Sequence, residues 1–513
     1  MSPAESSNRR WPAPEIVRRA SIALTFLSVV FVLALNLTPI NSTDYFLHLA
    51  IAEVIQQTRV IPDTILFAFT EAKDFEFIAH EWLSALALHG LNELFGPLGM
   101  VVVKAVLGLT IYALVIWLAM QLSANWPVSV AIGCLVMLTI NFRLVIRPEI
   151  FSFILLLTSL NLIQGFLRTE RLRWLAGLIP VTILWANSHG SFFVGLALPP
   201  MFLTGLIATD LVAKRLADRN HRAARMKNIY VPLAGISVLN LGACLINPLG
   251  FKLVTHSLNL SQSAFIRDLI IEWYPTFHPV IMNMLFYRVY LIYLAITLFA
   301  LVIGWRKLDF PLLILLIAFG YLSVDANRHI AVFAIVGTYW LARCLGDYCR
   351  AARAQFIAST AGSLILIAAI AVLFTSGNLR GLKPGFTTET RLPHGAIETI
   401  RKLGIKGNVI NSYAFGGPLA YYFYPDMRIG LDSRIDAYGN RYYWEYMYRL
   451  HGDITTLIEY MEKNDVVALV LKHSDFYTGD DQVMIDKFSK LRSVGFENVF
   501  DGGQTIILAK PDN

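Results

Sequence analysis

Eleven apolar runs, each close to bilayer-crossing length, constrain this 513-residue chain more than any other feature. A membrane-spanning helix needs about 20 predominantly apolar residues, because lipid cannot hydrogen-bond to an open backbone. The runs are 21–40, 97–121, 126–142, 148–167, 174–187, 191–213, 229–246, 280–304, 310–324, 329–345 and 355–376. The first is too long for a secretory core and has no small-residue cleavage site after it, so it reads as an anchor. Composition agrees. The chain is 15% charged and 56% hydrophobic, whereas soluble domains are roughly a quarter charged. That excludes one large soluble enzyme, and it excludes disorder, which requires low hydrophobicity and high charge. Four cysteines, Cys134, Cys244, Cys344 and Cys349, are too few for a disulfide scaffold. The predicted fold class is an α-helical polytopic membrane protein with about eleven transmembrane helices.

Basic residues set the orientation, because cytoplasmic loops are enriched in Lys and Arg. Arg9, Arg10, Arg18 and Arg19 precede the first run, and Arg168, Arg171 and Arg173 lie between the fourth and fifth. KRLADRNHRAARMK (214–227) separates the sixth and seventh, Arg306 and Lys307 the eighth and ninth, and Arg343, Arg350 and Arg353 follow the tenth. Eleven spans put all five groups on the cytoplasmic side. The N-terminus is then inside and the C-terminus outside.

After the last run the chain changes character. Residues 380–513 carry 16 Lys and Arg against 17 Asp and Glu, while the rest of the chain carries 27 against 19. The net charge of +7 is therefore a membrane-orientation signature, and it gives no reason to expect nucleic acid as a partner. The C-terminal segment reads as a small α/β domain. Its strand-like runs are NVINSY (408–413), MRIGLD (427–432), VVALVLK (466–472) and TIILAK (505–510), with helical stretches HGAIETIRKLG and ITTLIEYMEKN. The predicted organisation is a cytoplasmic tail (1–20), a transmembrane domain (21–379) with a long first outer loop (41–96), and an extracytoplasmic domain (380–513).

The outer loops hold the chemistry. Acids, histidines and arginines are costly at membrane depth and usually face a cavity. Loop 41–96 supplies Asp44, His48, Asp63, His80 and Glu81. NFRLVIRPE (141–149) supplies Arg147, and WANSHGS (185–191) supplies Asn187 and His189. DANRH (325–329) supplies Arg328 and His329. Each residue has a plainer reading beside the functional one. Asp44 either caps a helix starting at Tyr45 or serves as a catalytic or metal-binding acid. His48, four residues on, shares its face. His80-Glu81-Trp82 is either an interfacial anchor or part of the site. Arg147 and Arg328 either mark helix ends by snorkelling or bind phosphate. His189 is as readily structural as functional. Asn41-Ser-Thr fits a glycosylation sequon, a pattern common by chance. No Gly-rich phosphate loop is present.

These residues and their order resemble the GT-C superfamily of integral-membrane glycosyltransferases. The motifs are DYFLHLAIAEVIQQTRVIPDTILFAFT (44–70), HEWLSAL (80–86), VIRPEIFSF (145–153), WANSHGSFFVG (185–195), INPLG (246–250) and IGLDSRIDAYG (429–439). They look like those of a bacterial branch of these proteins. GT-C enzymes commonly show two neighbouring acids in the first outer loop. Here Asp44 has no adjacent acid, and the next are Asp63 and Glu81. The resemblance implies a GT-C-like fold in the bacterial cytoplasmic membrane. It also implies sugar transfer from a polyprenyl-phosphate donor to a glycan, lipid or protein acceptor on the outer face. Asp44 would be the general base, with Glu81 the second acid. Arg147, Arg328 and His329 would bind the donor phosphate. His48, His80, Asn187, His189, Asp432 and Arg434 would contact substrate. A divalent cation is not obligatory for a lipid donor, though Asp44 with Glu81 could hold one.

Two other classes fit the same composition. A transporter or flippase for a lipid-linked substrate would show inverted repeats and ionisable residues at mid-membrane. A non-catalytic assembly subunit could use the same fold. The position of Asp44, Glu81, Arg147 and Arg328 in space separates the three. The loops FGGP (415–418) and DSRIDAYG (432–439) are expected to face the cavity and bind the acceptor; the plainer reading of Asp432 and Arg434 is an internal ion pair.

Overall fold

The computed structural model describes residues 13–40, 42–215, 218–375, 394–477, 481–502 and 504–510. Asn41 of the sequon, residues 1–12 of the expected tail and residues 380–393 of the expected outer domain lie outside the described residues.

All eleven apolar runs are helical over most of their length. Among the described residues, eight helices are long and apolar enough to cross a membrane. The first is α1 (Pro14–Asn36), and the last, Ala352–Thr375, packs along it. The run at 310–324 forms the shorter apolar helix Phe310–Asp325. Runs 174–187 and 229–246 centre on Leu178–Ser188 and Val231–Ala243. Helix α1 starts earlier than the apolar run because Pro14 at its first position presets the helical φ.

The first outer segment is mostly helical rather than a loop. Helix α2 (Thr43–Thr58) follows α1 after a short break. Helix α3 (Trp82–Ser123) then begins outside the apolar run and kinks at Gly96, with φ 64° and ψ −178°. That conformation is essentially restricted to glycine, and Pro97 after it has no N–H to continue the preceding ladder. The kink divides α3 into an outer arm, which carries Glu81 at its N-terminus, and the apolar span.

Residues 394–510 contain a five-stranded sheet: β1 (Gly407–Asn411), β2 (Met427–Ile429), β3 (Val466–Lys472), β4 (Glu497–Gly502) and β5 (Thr505–Ala509). The strand order is β2-β1-β3-β5-β4. Strand β1 is parallel to β2 and β3, and β5 is antiparallel to β3 and β4.

The first outer segment closes one edge of this sheet. Ile429 N–H donates to the Phe67 carbonyl and Phe69 N–H to the Ile429 carbonyl, both at 3.0 Å. The Thr70 and Tyr442 hydroxyls meet at 2.6 Å, and Phe67 stands edge-on to Tyr424 at 5.1 Å. Leu47, Ile51 and Phe67 consequently share one hydrophobic core with Ile410, Leu469 and Ile507 of the sheet. The spans pack around a separate core. Covering the edge also removes unpaired strand groups that would otherwise invite aggregation.

Candidate active site

Between the spans and the C-terminal domain lies a cavity with two adjoining compartments of ≈ 200 and ≈ 1130 Å³. Asp44, His80, Glu81, Arg147, His189 and Arg328 line both. His48 and Arg434 line the smaller one, and His329 lines the larger. Six residues expected from four outer loops therefore converge on one space.

A chain of alternating charges forms part of its wall. The Arg147 guanidinium contacts Asp44 at 3.2 Å and Glu272 at 2.7 Å, and its Nε donates to Ser42 at 2.8 Å. Arg143 contacts the same Glu272 at 2.8 Å and donates through Nε to Glu149 at 2.8 Å. Burial alone would raise the Glu272 pKa, but the charges of Arg143 and Arg147 outweigh it and hold the carboxyl well below the usual range. Arg328 stands apart. Its guanidinium lies 4.4 Å from the Trp273 ring centroid, and among the described residues it makes no ion pair. His329 donates from Nδ1 to the Leu322 carbonyl at 3.2 Å and meets the same Trp273 ring edge-on.

Glu81 sits among three imidazoles. His48 Nε2 lies 3.5 Å from its carboxylate, His189 Nε2 3.4 Å and His80 Nε2 3.9 Å. Burial pushes the Glu81 pKa up to about 7, against the pull of His48 and with a further push from Asp44. The same burial lowers all three histidines, so each favours its neutral form. The tautomers of His189 and His80 follow from their outer contacts. His189 Nδ1 accepts from the Ser191 backbone N–H at 3.1 Å, which leaves its proton on Nε2, facing Glu81. His80 Nδ1 donates to the Ile78 carbonyl at 3.1 Å, so its Nε2 presents a lone pair. Glu81 thus has a donor on one side and an acceptor on the other.

Some expectations require correction. Asp44 does not cap its helix: Ser42 holds the N-cap position, Asp44 lies in the first turn, and its carboxylate turns to Arg147. Asn187 lies behind the wall, accepting from Trp82 Nε1 at 3.1 Å and donating to the Ile246 carbonyl at 2.9 Å. Asp432 is fully buried and pairs with Arg434 at 2.5 Å. This is the internal ion pair, and Ser433, Arg434 and Asp436 of that loop line the cavity while Asp432 does not. FGGP does not line it either. Gly416 packs on Asp432, where an added Cβ would fall 2.2 Å from the Leu431 carbonyl oxygen, and the cavity-lining residues there are Tyr413 and Ala414. Arg143, Glu149, Glu272 and Asp436 were not singled out from the sequence. Arg143 and Glu149 lie in the outer loop 141–149 and Asp436 in the DSRIDAYG loop, so their charge was the available signal.

Among the described residues, no group of three or more His, Cys, Asp or Glu side chains is arranged to hold a metal ion. Asp44, which with Glu81 could have held a divalent cation, is engaged by Arg147.

Fold and site together define a polytopic membrane protein whose polar cavity is roofed by a C-terminal α/β domain. No family model matches the sequence, and no curated protein matches it. Among solved structures, the crystal structure of an oligosaccharyltransferase from Archaeoglobus fulgidus, in complex with zinc and sulfate, is similar in fold. The TM-score is 0.56 at 13% identity, over 95% of this chain and 73% of that one. The chain therefore shares its overall fold with that structure.

Proposed function

We propose that the protein is a membrane glycosyltransferase that moves a sugar from a polyprenyl-phosphate donor to an acceptor hydroxyl at the outer face of the bacterial cytoplasmic membrane. The observation that carries this reading is the convergence of Asp44, Glu81, Arg147 and Arg328 on one cavity in a fold shared with an oligosaccharyltransferase. A transport pathway would instead place its ionisable groups along the span interior.

The acceptor hydroxyl attacks the anomeric carbon. The new glycosidic C–O bond forms as the bond to the lipid phosphate breaks. The hydroxyl proton passes to Glu81, and the departing phosphate keeps the bond's electron pair, stabilised by Arg328. Arg328 suits that role because it has no ion-pair partner of its own among the described residues. The apolar wall of the larger compartment, with Phe153, Leu156, Phe193 and Val332, suits a prenyl chain. Asp44 remains the second candidate base, but its pairing with Arg147 favours Glu81, with Arg147 and Asp44 positioning the substrates.

The test is transfer from polyprenyl-phosphate sugars in membranes holding equal amounts of each variant. A raised pKa keeps Glu81 protonated below about pH 7, so the rate is expected to climb through that pH. Glu81→Gln should abolish the step and lower the rate by about 10²–10⁴. Asp44→Asn should cost less and leave the step in place. If only Asp44→Asn removes the pH step, Asp44 is the base. If the unmodified protein transfers from no such donor, the transferase reading falls.

A further inference from the structure

The roof of the larger compartment carries a cation that the transfer chemistry above does not use. In open α/β sheets, ligands bind beyond the carboxyl ends of parallel strands, at the point where strand order reverses. Here that point lies between β1 and β3. The residues beyond and at these two strand ends, Tyr413 and Lys472, both line the larger compartment. The two ends are locked together: Ser412 N–H donates to the Val470 carbonyl at 3.0 Å, and Lys472 N–H donates to Ser412 Oγ at 2.7 Å.

We propose that Lys472, with Tyr413 and Ser433, forms a subsite for an anionic group, a carboxylate or a phosphate ester, carried by the acceptor beside its attacking hydroxyl. The word acceptor rests on the transferase reading; the anion subsite does not.

The charge pattern of the cavity supports it. Asp44, Glu149 and Glu272 are tied to Arg143 and Arg147. Asp436, 3.7 Å from His256 Nε2, lines both compartments and so sits at their junction, whereas Lys472 lines the larger one alone. Among the described residues, the Lys472 ammonium and the Tyr413 hydroxyl have no ion-pair or hydrogen-bond partner. A half-buried cation without a protein partner gains most from an anion delivered by a ligand. Arg328, the other cavity cation without an ion pair, belongs to the wall built by the spans. Two separate cations of this kind match a reaction with two anionic participants, a lipid phosphate on one side and a charged acceptor on the other.

The test is binding to the full-length protein in detergent, followed by calorimetry, with three probes: methyl glucoside, methyl glucuronide and methyl glucoside 6-phosphate. At least one charged probe is expected to bind roughly tenfold more tightly than the neutral one, about 1.4 kcal/mol, and which one does so separates carboxylate from phosphate recognition. Lys472→Met should erase the preference, and Lys472→Arg should keep it. Lys472→Gln serves if the Met variant unfolds early, judged by its melting temperature. Equal binding of charged and neutral probes overturns the proposal. So does a preference that survives loss of Lys472, or one that disappears in Arg328→Gln instead. A protein that binds the probes selectively but transfers no sugar refutes the transferase reading and leaves the subsite standing.

Discussion

Glu272 shows how the wall of the cavity is held. It is a carboxylate shared between two arginines, Arg143 and Arg147, one of them also bound to Glu149 and the other to Asp44. Removing Glu272 leaves each arginine one carboxylate, Glu149 for Arg143 and Asp44 for Arg147, so the cost falls below the about 3–5 kcal/mol typical of a buried charge left with no partner. The folded protein depresses the Glu272 pKa, because the arginine charges overcome the upward push of burial. A depressed carboxylate stabilises the fold above its ordinary pKa of 4.5 and loses that contribution as the pH falls below it. The melting temperature in detergent should therefore decline as the pH drops below 4.5. Glu272→Gln should be less stable at neutral pH and show a flatter acid decline. A variant with the native pH profile would show that the shared carboxylate does not contribute.

At the scale of elements, the kink in α3 decides where Glu81 stands. An alanine at Gly96 meets no neighbour within 4 Å, so its cost is confined to the backbone conformation, about 1–3 kcal/mol. Gly96→Ala should lower the melting temperature, whereas Gly90→Ala, also without a close neighbour but within the regular outer arm, should not. Equal effects would mean that the kink stores no strain. The kink also shows what was legible in the sequence. The apolar run beginning at 97 marked the span correctly, because hydrophobic length is a property of the run itself. The outer arm from Trp82 to Phe95 falls within the expected outer loop, because its helix is supported by contacts from far along the chain, such as Asn92 Nδ2 donating to Tyr421 at 3.3 Å. In the sheet, the alternating or wholly apolar strands β1, β2, β3 and β5 were visible. Strand β4, ENVFDG, is exposed or half-buried throughout and gave no pattern. In the site, Asp44, Glu81, Arg147 and Arg328 could be read from charge at membrane depth. Asn187 and Asp432 are harder to read, because a polar residue in an outer loop serves a backbone carbonyl or a neighbouring arginine as readily as a ligand.

At the scale of the whole molecule, the basic loops and the α/β domain are expected on opposite sides of the membrane. With the four native cysteines replaced, Ser474→Cys on the exposed surface of the domain should react with an impermeant maleimide in intact cells. Asn220→Cys in the basic loop should react only after permeabilisation. The reverse pattern would invert the topology and move the cavity to the cytoplasmic side. The way the cavity is walled has a consequence for biogenesis. Its floor draws on segments from Asp44 to Val332, but Tyr413, Ser433 and Lys472 of its roof belong to residues translated after the last described span, Ala352–Thr375. A ribosome that stalls before residue 394 releases a chain with the spans in place and the edge of the first outer segment, Phe67 to Thr70, still bare. Such a chain would present an apolar, unpaired edge that quality-control proteases can recognise, and the cavity gains its roof only once the protein is whole.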